Sequence, residues 1–479
     1  MTNLLSNNAV QATRTLQLGL LAAILATVLP YGAVHPFWFY VAASTNALVF
    51  VGTLAIPFHN AEMLRVYRAA LIILLVIAAY LLFQSAPLPK NAWENSVWQS
   101  VREQLNADVG TISVSPAATI EAIPQVIHPI LIFMAGLVLH QTTEAALVFW
   151  RRLAFIGAGI AIFGIAQHVL SPQSLLFGAK LHYLDSVTGT FVNRNSAATL
   201  FGIAALLFTA LIVRQLNEVA DARRSSGPLQ HVNQRRGQKI LLLYLVFFIV
   251  VLLAMFLTKS RGGLIATFVP LLLLAGWFGF SLAPAQAAAR FRLAIVAASI
   301  VTIMLLFAVL GAKTLFRIEQ SGVEDNRLCV YASTIAAIKD HFWLGTGFGT
   351  FEQVFPAYRD PACGISGLWD RAHNSFLEGY LGMGLPFALV VFFAIGYLTL
   401  VFWAGYSSRR RYRVVPLVGM CSLLLIMLHS MVDFSLQIPG VAAYAGAVLS
   451  AAVSVSLARA GSGRRYQHWT EPSLPQAPM

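Results

Sequence analysis

Charge is scarce in this chain: Asp, Glu, Lys and Arg make up 11% of its 479 residues, against about 25% in a soluble globular protein. With 58% hydrophobic residues and a mean hydropathy of +0.72, that shortage excludes a soluble enzyme, a disordered chain and a secreted disulfide scaffold. Metal-ligand spacings are missing as well. Neither CxxC nor HExxH occurs, so no structural or catalytic metal is expected. The absence of a Walker loop and of a GxSxG elbow removes ATP-driven transport by this chain and the hydrolase reading. Tandem repeats and heptads are lacking too, which excludes solenoids and coiled coils.

Long apolar runs, by contrast, are abundant. A helix needs about 20 mostly apolar residues to cross roughly 30 Å of hydrocarbon, and twelve such runs occur, at 16–34, 37–57, 69–86, 124–140, 153–170, 195–213, 240–258, 262–282, 293–311, 376–404, 414–432 and 439–458. They predict an all-α polytopic membrane protein, one domain over residues 1–479. Only Arg14 precedes the first run and no cleavage site follows it, so a retained span with a cytoplasmic N-terminus is expected rather than a signal peptide. With both termini inside, twenty of the 32 Lys and Arg fall in cytoplasmic segments, but only five of the 19 Asp and Glu. That bias obeys the positive-inside rule. The net charge of +13 is thus an orientation signal and calls for no nucleic-acid partner.

Between the spans, residues 214–239 read as a flexible basic cytoplasmic connector, 459–479 as a cytoplasmic tail, and 87–123 as a first outer loop with Trp93 and Trp98 suited to the interface. The largest outer loop, 312–373, is the most polar stretch, and function is expected there. In it, Leu328, Tyr331, Ile335 and Ile338 recur at three- and four-residue steps, which predicts an amphipathic helix from Asp325 lying on the membrane. Gly345 stops the pattern, and Gly345, Gly347 and Gly349 alternate with Thr and Phe, allowing tight turns and close backbone approach. No strand precedes these glycines, so they are not a dinucleotide fingerprint. Cys329 and Cys363 share this loop; a disulfide and two free thiols both remain open.

Three segments place cations at the outer rim: GTFVNRNSA with Arg194, LTKSRGGL with Lys259 and Arg261, and DRAHNSFLE with Arg371 and His373. No acid lies within eight residues of Arg194 or Arg261. Such guanidinium groups suit a phosphate or diphosphate at headgroup level, because Arg stays charged and offers paired N–H donors. The alternative is that each merely snorkels to the interface. His373 has two readings, a structural hydrogen-bonder or a neutral imidazole that takes a proton from a hydroxyl nucleophile. His429 and Asp433, in LHSMVDFSLQIPG, are a weaker pair of the same kind, with helix packing as the alternative.

In order along the chain, GTFVNRN, LTKSRGG, GTGFGTF, AHNSFLE and HSMVDFSLQIP resemble the O-antigen ligase and polymerase superfamily of bacterial membrane proteins, over roughly residues 185–440. The resemblance implies a twelve-helix lipid-dependent glycosyltransferase fold of the GT-C type in the inner membrane, with a large periplasmic loop covering the active site. It implies transfer of a glycan from undecaprenyl diphosphate to a sugar hydroxyl, with inversion and without metal, nucleotide or other cofactor. By motif, Arg194 and Arg261 would bind the leaving diphosphate and His373 would orient or deprotonate the acceptor hydroxyl. Arg371 would assist at the same rim, with Lys259 and Arg327 as further substrate-binding cations. The chain departs from the family at Ser196 and Ala197, where many relatives carry a His and a bulky residue.

Two readings stand within the family. A ligase moves the glycan to the lipid A core; a polymerase moves it to the next lipid-linked repeat of O-antigen or exopolysaccharide. The arrangement of Arg194, Arg261 and His373 resembles the ligases more, so that reading leads. Outside the family, twelve spans and a long loop after the sixth also describe a major-facilitator transporter. Against it, HNAEMLRVYR between spans two and three lacks the Gly-Asp-Arg pattern of those carriers, and polar residues gather at the rim rather than at the midplane.

Overall fold

The computed structural model describes residues 2–89, 93–105, 109–224, 230–282, 323–363, 367–409 and 411–458. Its first helices are α1 (Thr2–Val28), α2 (Pro36–Thr53), α3 (Ala61–Ser85), the short α4 (Val97–Leu105), α5 (Pro116–Leu139) and α6 (Thr143–Leu170). Then come α7 (Arg194–Arg224), α8 (Gln230–Leu257), α9 (Arg261–Leu282), the loop helices α10 (Val323–Asp340) and α11 (Phe351–Tyr358), and α12 (Ser375–Met383). The chain ends in α13 (Leu385–Ser408), α14 (Val414–Ser430) and α15 (Pro439–Leu457). Sheet among the described residues is confined to two antiparallel pairs of two-residue strands and an isolated bridge between Tyr31 and Phe191. Eight described helices are long and apolar enough to cross a membrane by length and composition. The protein is an all-α polytopic membrane protein. Expected spans correspond to α1–α3, α5–α9 and α13–α15; the expected ninth span, 293–311, lies outside the described residues.

Burial separates the helices into a centre and a lipid-facing shell. In α7 and α15, 83% of the apolar stretch is buried, whereas in α13 it is 11%. The centre is built from small residues: α15 reads PGVAAYAGAVLSAAVSVSL, and Ala, Gly and Ser let helix backbones approach where lipid supplies no hydrophobic drive. α15 packs on α5, α6 and α14, and α7 on α8, α6, α14 and α9. Phe392 and Leu400 on α13 stay exposed, as expected of side chains that meet acyl chains.

Three departures from the sequence reading have clear causes. The run expected as one span at 376–404 is two helices, α12 and α13, broken at Gly384. Gly384 has φ +64°, and a Cβ there would stand 2.5 Å from the carbonyl oxygen of Trp343, so only glycine fits and the helix stops. The connector at 214–239 is helical at both ends, where α7 runs on to Arg224 and α8 starts at Gln230; Arg214 and Glu218 pair at 2.9 Å one turn apart and support the extension. On α10, Val330 and Ala337 are buried against Phe351, Phe355, Ala372 and Leu381. Leu328 and Ile335 from the expected apolar stripe remain exposed. The helix is therefore seated on the rest of its loop by a face turned away from Leu328 and Ile335, while Ile338 and Tyr331 of that stripe join the contact.

Of the two states open to the loop cysteines, the structure has the disulfide, Cys329–Cys363, across 34 residues. Chain entropy for a loop of this length corresponds to about 3–4 kcal/mol. Cys329→Ser is expected to raise amide exchange and protease cutting across 340–370 while the membrane helices stay protected. Unchanged exchange in that segment would show that the bridge does not hold the loop.

Candidate functional site

Three helices begin at one rim of the bundle, each with a polar cap. Asn193 Oδ1 accepts the Asn195 amide at 2.8 Å and starts α7. Ser260 Oγ accepts the Gly263 amide at 3.2 Å and starts α9. Asn374 Oδ1 accepts the amides of Phe376 and Leu377 and starts α12. Caps of this kind satisfy the free first-turn N–H groups, and the remaining ones give each helix start a partial positive charge that favours anions.

The first two starts are tied together. Ser260 donates to Asn195 Oδ1 at 2.8 Å, and Asn195 Nδ2 donates to Asp433 Oδ1 at 2.7 Å. Asp433 is 1% exposed and also accepts from Ser435, while Ser375 donates to its backbone carbonyl at 3.1 Å. Asp433 thus joins the turn after α14 to α7 through its carboxylate, to α9 by way of Asn195, and to α12 through its backbone carbonyl. Beneath it, Thr199 Oγ1 and His429 Nδ1 are 2.6 Å apart. His429 also lies against the first turn of α9, where a Cβ on Gly262 would be 3.5 Å from its Nε2. A buried charge is tolerated when polar partners satisfy it, as Asn195 and Ser435 do for Asp433, whereas His429 Nε2 is buried without a hydrogen-bond partner.

Arg194 and Arg261 are therefore the first residues of two helices whose opening turns are bonded to each other. The Arg194 guanidinium lies 5.0 Å from the Tyr183 ring centre, a contact to a ring face rather than to a carboxylate. Lys259 is engaged by an acid. Its Nζ binds Asp185 at 2.8 Å, with both side chains more than half exposed, and the bond holds the Asp185 carboxyl below its usual range. Ser196 and Ala197 are buried on α7.

His373 stands in the left-handed region at φ +54°, a strained setting for a side chain with a Cβ. Several contacts hold it there. Tyr331 on α10 donates to its carbonyl at 2.9 Å, and its ring is met edge-on by Trp369 and Phe434, at 5.7 and 5.0 Å between centres. On the preceding turn, Glu378 accepts the Ala372 amide at 2.8 Å and pairs with Arg371 at 3.2 Å. The imidazole Nδ1 is buried without a hydrogen-bond partner. Burial, and then the charge of Arg327, push the His373 pKa below its ordinary value against the pull of Asp433 and Asp370. The shift favours the neutral imidazole.

Residues 245–393 match the family model described as O-antigen ligase. The match covers 149 of the 479 residues and supports the resemblance to the O-antigen ligase and polymerase superfamily. No curated protein matches the chain. The matched segment contains Lys259, Arg261, Arg327, Arg371 and His373; Arg194, Asn195, His429 and Asp433 lie outside it and join the same rim through the bonds above. In a multi-pass membrane protein, the match supports function of the O-antigen ligase or polymerase type. Asn195, Ser260, Tyr331 and Glu378 have no place among the sequence-derived site residues. The Asn and Ser caps beside Arg194 and Arg261 are the signal that could have found the first two.

Proposed function

We propose that this chain is a ligase-type membrane glycosyltransferase of the inner membrane. It moves a glycan from undecaprenyl diphosphate to a sugar hydroxyl of the lipid A core at the periplasmic rim, with inversion and without metal. The observation that carries the reading is the bonded pair of helix starts at Arg194 and Arg261. Two guanidinium groups and two helix N-termini form a fixed positive field. Charge builds on the departing diphosphate as the glycosidic bond breaks, so this field stabilises the transition state more than the ground state. His373 accepts the proton of the attacking hydroxyl, and Asp433 keeps the rim in register. Arg371, engaged by Glu378, holds the turn that presents His373. The polymerase reading uses the same donor and site and differs in the acceptor, a lipid-linked repeat.

The test is a deletion strain complemented with wild type or Arg261→Ala, with lipopolysaccharide and secreted polysaccharide compared on gels. The ligase reading expects long chains to vanish from lipid A core and persist on the lipid carrier. Single repeats on the core, or loss of exopolysaccharide alone, would mean a polymerase, and an unchanged glycan profile would sink both.

A pH prediction follows from Arg327. His373 acts as the neutral form, so transfer falls as pH drops through its lowered pKa and holds level above it. Arg327→Gln removes a cation that depresses that pKa, so the acid limb of the pH–rate profile moves to higher pH. A limb that stays in place, or moves lower, would rule out His373 as the titrating base.

A further inference from the structure

A cleft of about 470 Å³ runs beside the rim between α3, α5, α13 and α15, with α14 as its back wall. On α13 its lining extends from Phe387 to Leu398, positions about 16 Å apart along a helix, close to one leaflet of a hydrocarbon core about 30 Å thick. The deep walls are mostly apolar, with Phe133, Val391, Ala394 and Leu449 among them and the Tyr397 hydroxyl as an exception at the inner end. Polar groups gather at the outer end, where Arg371, Glu378 and Gln437 line the mouth. This is the outline of an amphiphile, a hydrocarbon chain below a polar head.

The last turn of α14 separates this cleft from the anion site. His429 faces Thr199 and the start of α9, while Ser430, Met427 and Leu423 line the cleft. The mouth also differs in charge, since Arg371 is paired with Glu378. A neutral, hydrogen-bonding mouth suits sugar hydroxyls; a diphosphate belongs with Arg194 and Arg261. Inversion requires the nucleophile and the leaving group to stand on opposite sides of the reacting carbon, and two sites flanking His373 meet that need.

We infer that the cleft seats the hydrocarbon chain of the membrane-anchored acceptor, with its sugar head at Arg371, Glu378 and Gln437. The inference rests on the proposed transfer reaction and adds the acceptor's place in it.

Full-length protein in nanodiscs of phosphatidylethanolamine and phosphatidylglycerol, photolabelled with hexadecyl glucoside bearing a chain diazirine, tests it. Adducts are expected on cleft residues of α13 and α15. Ala394→Trp, which fills the cleft midway, is expected to lower them about tenfold, as is Ala69→Trp from the facing wall. Phe393→Trp, at a site 64% exposed beside the cleft, leaves labelling unchanged. Equal labelling of cleft and outer α13 residues overturns the inference, and so does displacement of the adducts by undecaprenyl diphosphate, which would assign the cleft to the donor. In transfer assays Ala394→Trp raises the acceptor KM about tenfold and leaves the donor KM alone. If Arg261→Ala abolishes transfer and Ala394→Trp changes neither KM, the cleft assignment alone fails. If Arg261→Ala is fully active, the reaction reading fails instead.

Discussion

Arg261→Ala and Arg194→Ala each lower glycan transfer about 10²–10³-fold, with protein level and membrane insertion unchanged. Each guanidinium sits on the first turn of a helix whose neighbour is bonded to it through Ser260 and Asn195, so removal strips charge from a site that cannot rearrange to replace it. Lysine at either position keeps the charge but loses the paired donors, and an intermediate loss is expected. Lys259→Ala is the internal control. It breaks an exposed ion pair with Asp185 of the kind worth about 0–1 kcal/mol, and transfer stays within about threefold of wild type. Initial rates in membranes, normalised to protein amount, check all three. Full activity in either alanine variant would refute the diphosphate assignment.

His373→Asn carries the second large effect, a loss of about 10²–10⁴-fold in turnover. Asparagine is the appropriate replacement because it tolerates the left-handed backbone that His373 adopts at φ +54°, so the turn keeps its shape while the proton acceptor is lost. An alanine at this position would mix backbone strain with chemistry. The loss is expected in kcat, with donor KM held, because the proposed diphosphate contacts lie on α7 and α9. Retention of more than about a tenth of wild-type turnover would make His373 a positioning group rather than the base.

Much of this architecture is legible in the order of the residues. Twenty-residue apolar runs announce themselves through composition alone, and the excess of Lys and Arg in alternate loops is a summed property that tolerates errors in boundaries. Other features are illegible there for specific reasons. The break at Gly384 depends on the carbonyl of Trp343, forty-one residues earlier, and nothing local distinguishes it from other glycines in spans. The α10 stripe is visible in sequence, but its seating is not, since Val330 and Ala337 find their partners on α11 and α12. At the site, Arg194, Arg261 and His373 stand out as cations or titratable groups in an apolar chain. Asn195, Ser260 and Tyr331 do not, because their importance lies in bonds spanning 238, 65 and 42 residues. Proximity in sequence pairs Asp433 with His429; in space its carboxylate is bonded to Asn195 and Ser435 instead.

Transfer of a glycan from a lipid diphosphate at the paired starts of α7 and α9 is the central claim. Purified protein in proteoliposomes, given undecaprenyl-diphosphate glycan labelled in its reducing sugar, an acceptor glycolipid and excess chelator, tests it most directly. Expected are one free undecaprenyl diphosphate per glycan transferred, an inverted anomeric linkage in the product, and loss of both in Arg194→Ala and Arg261→Ala. Retained anomeric configuration, dependence on a divalent ion, or intact lipid-linked glycan merely moved across the bilayer would contradict it.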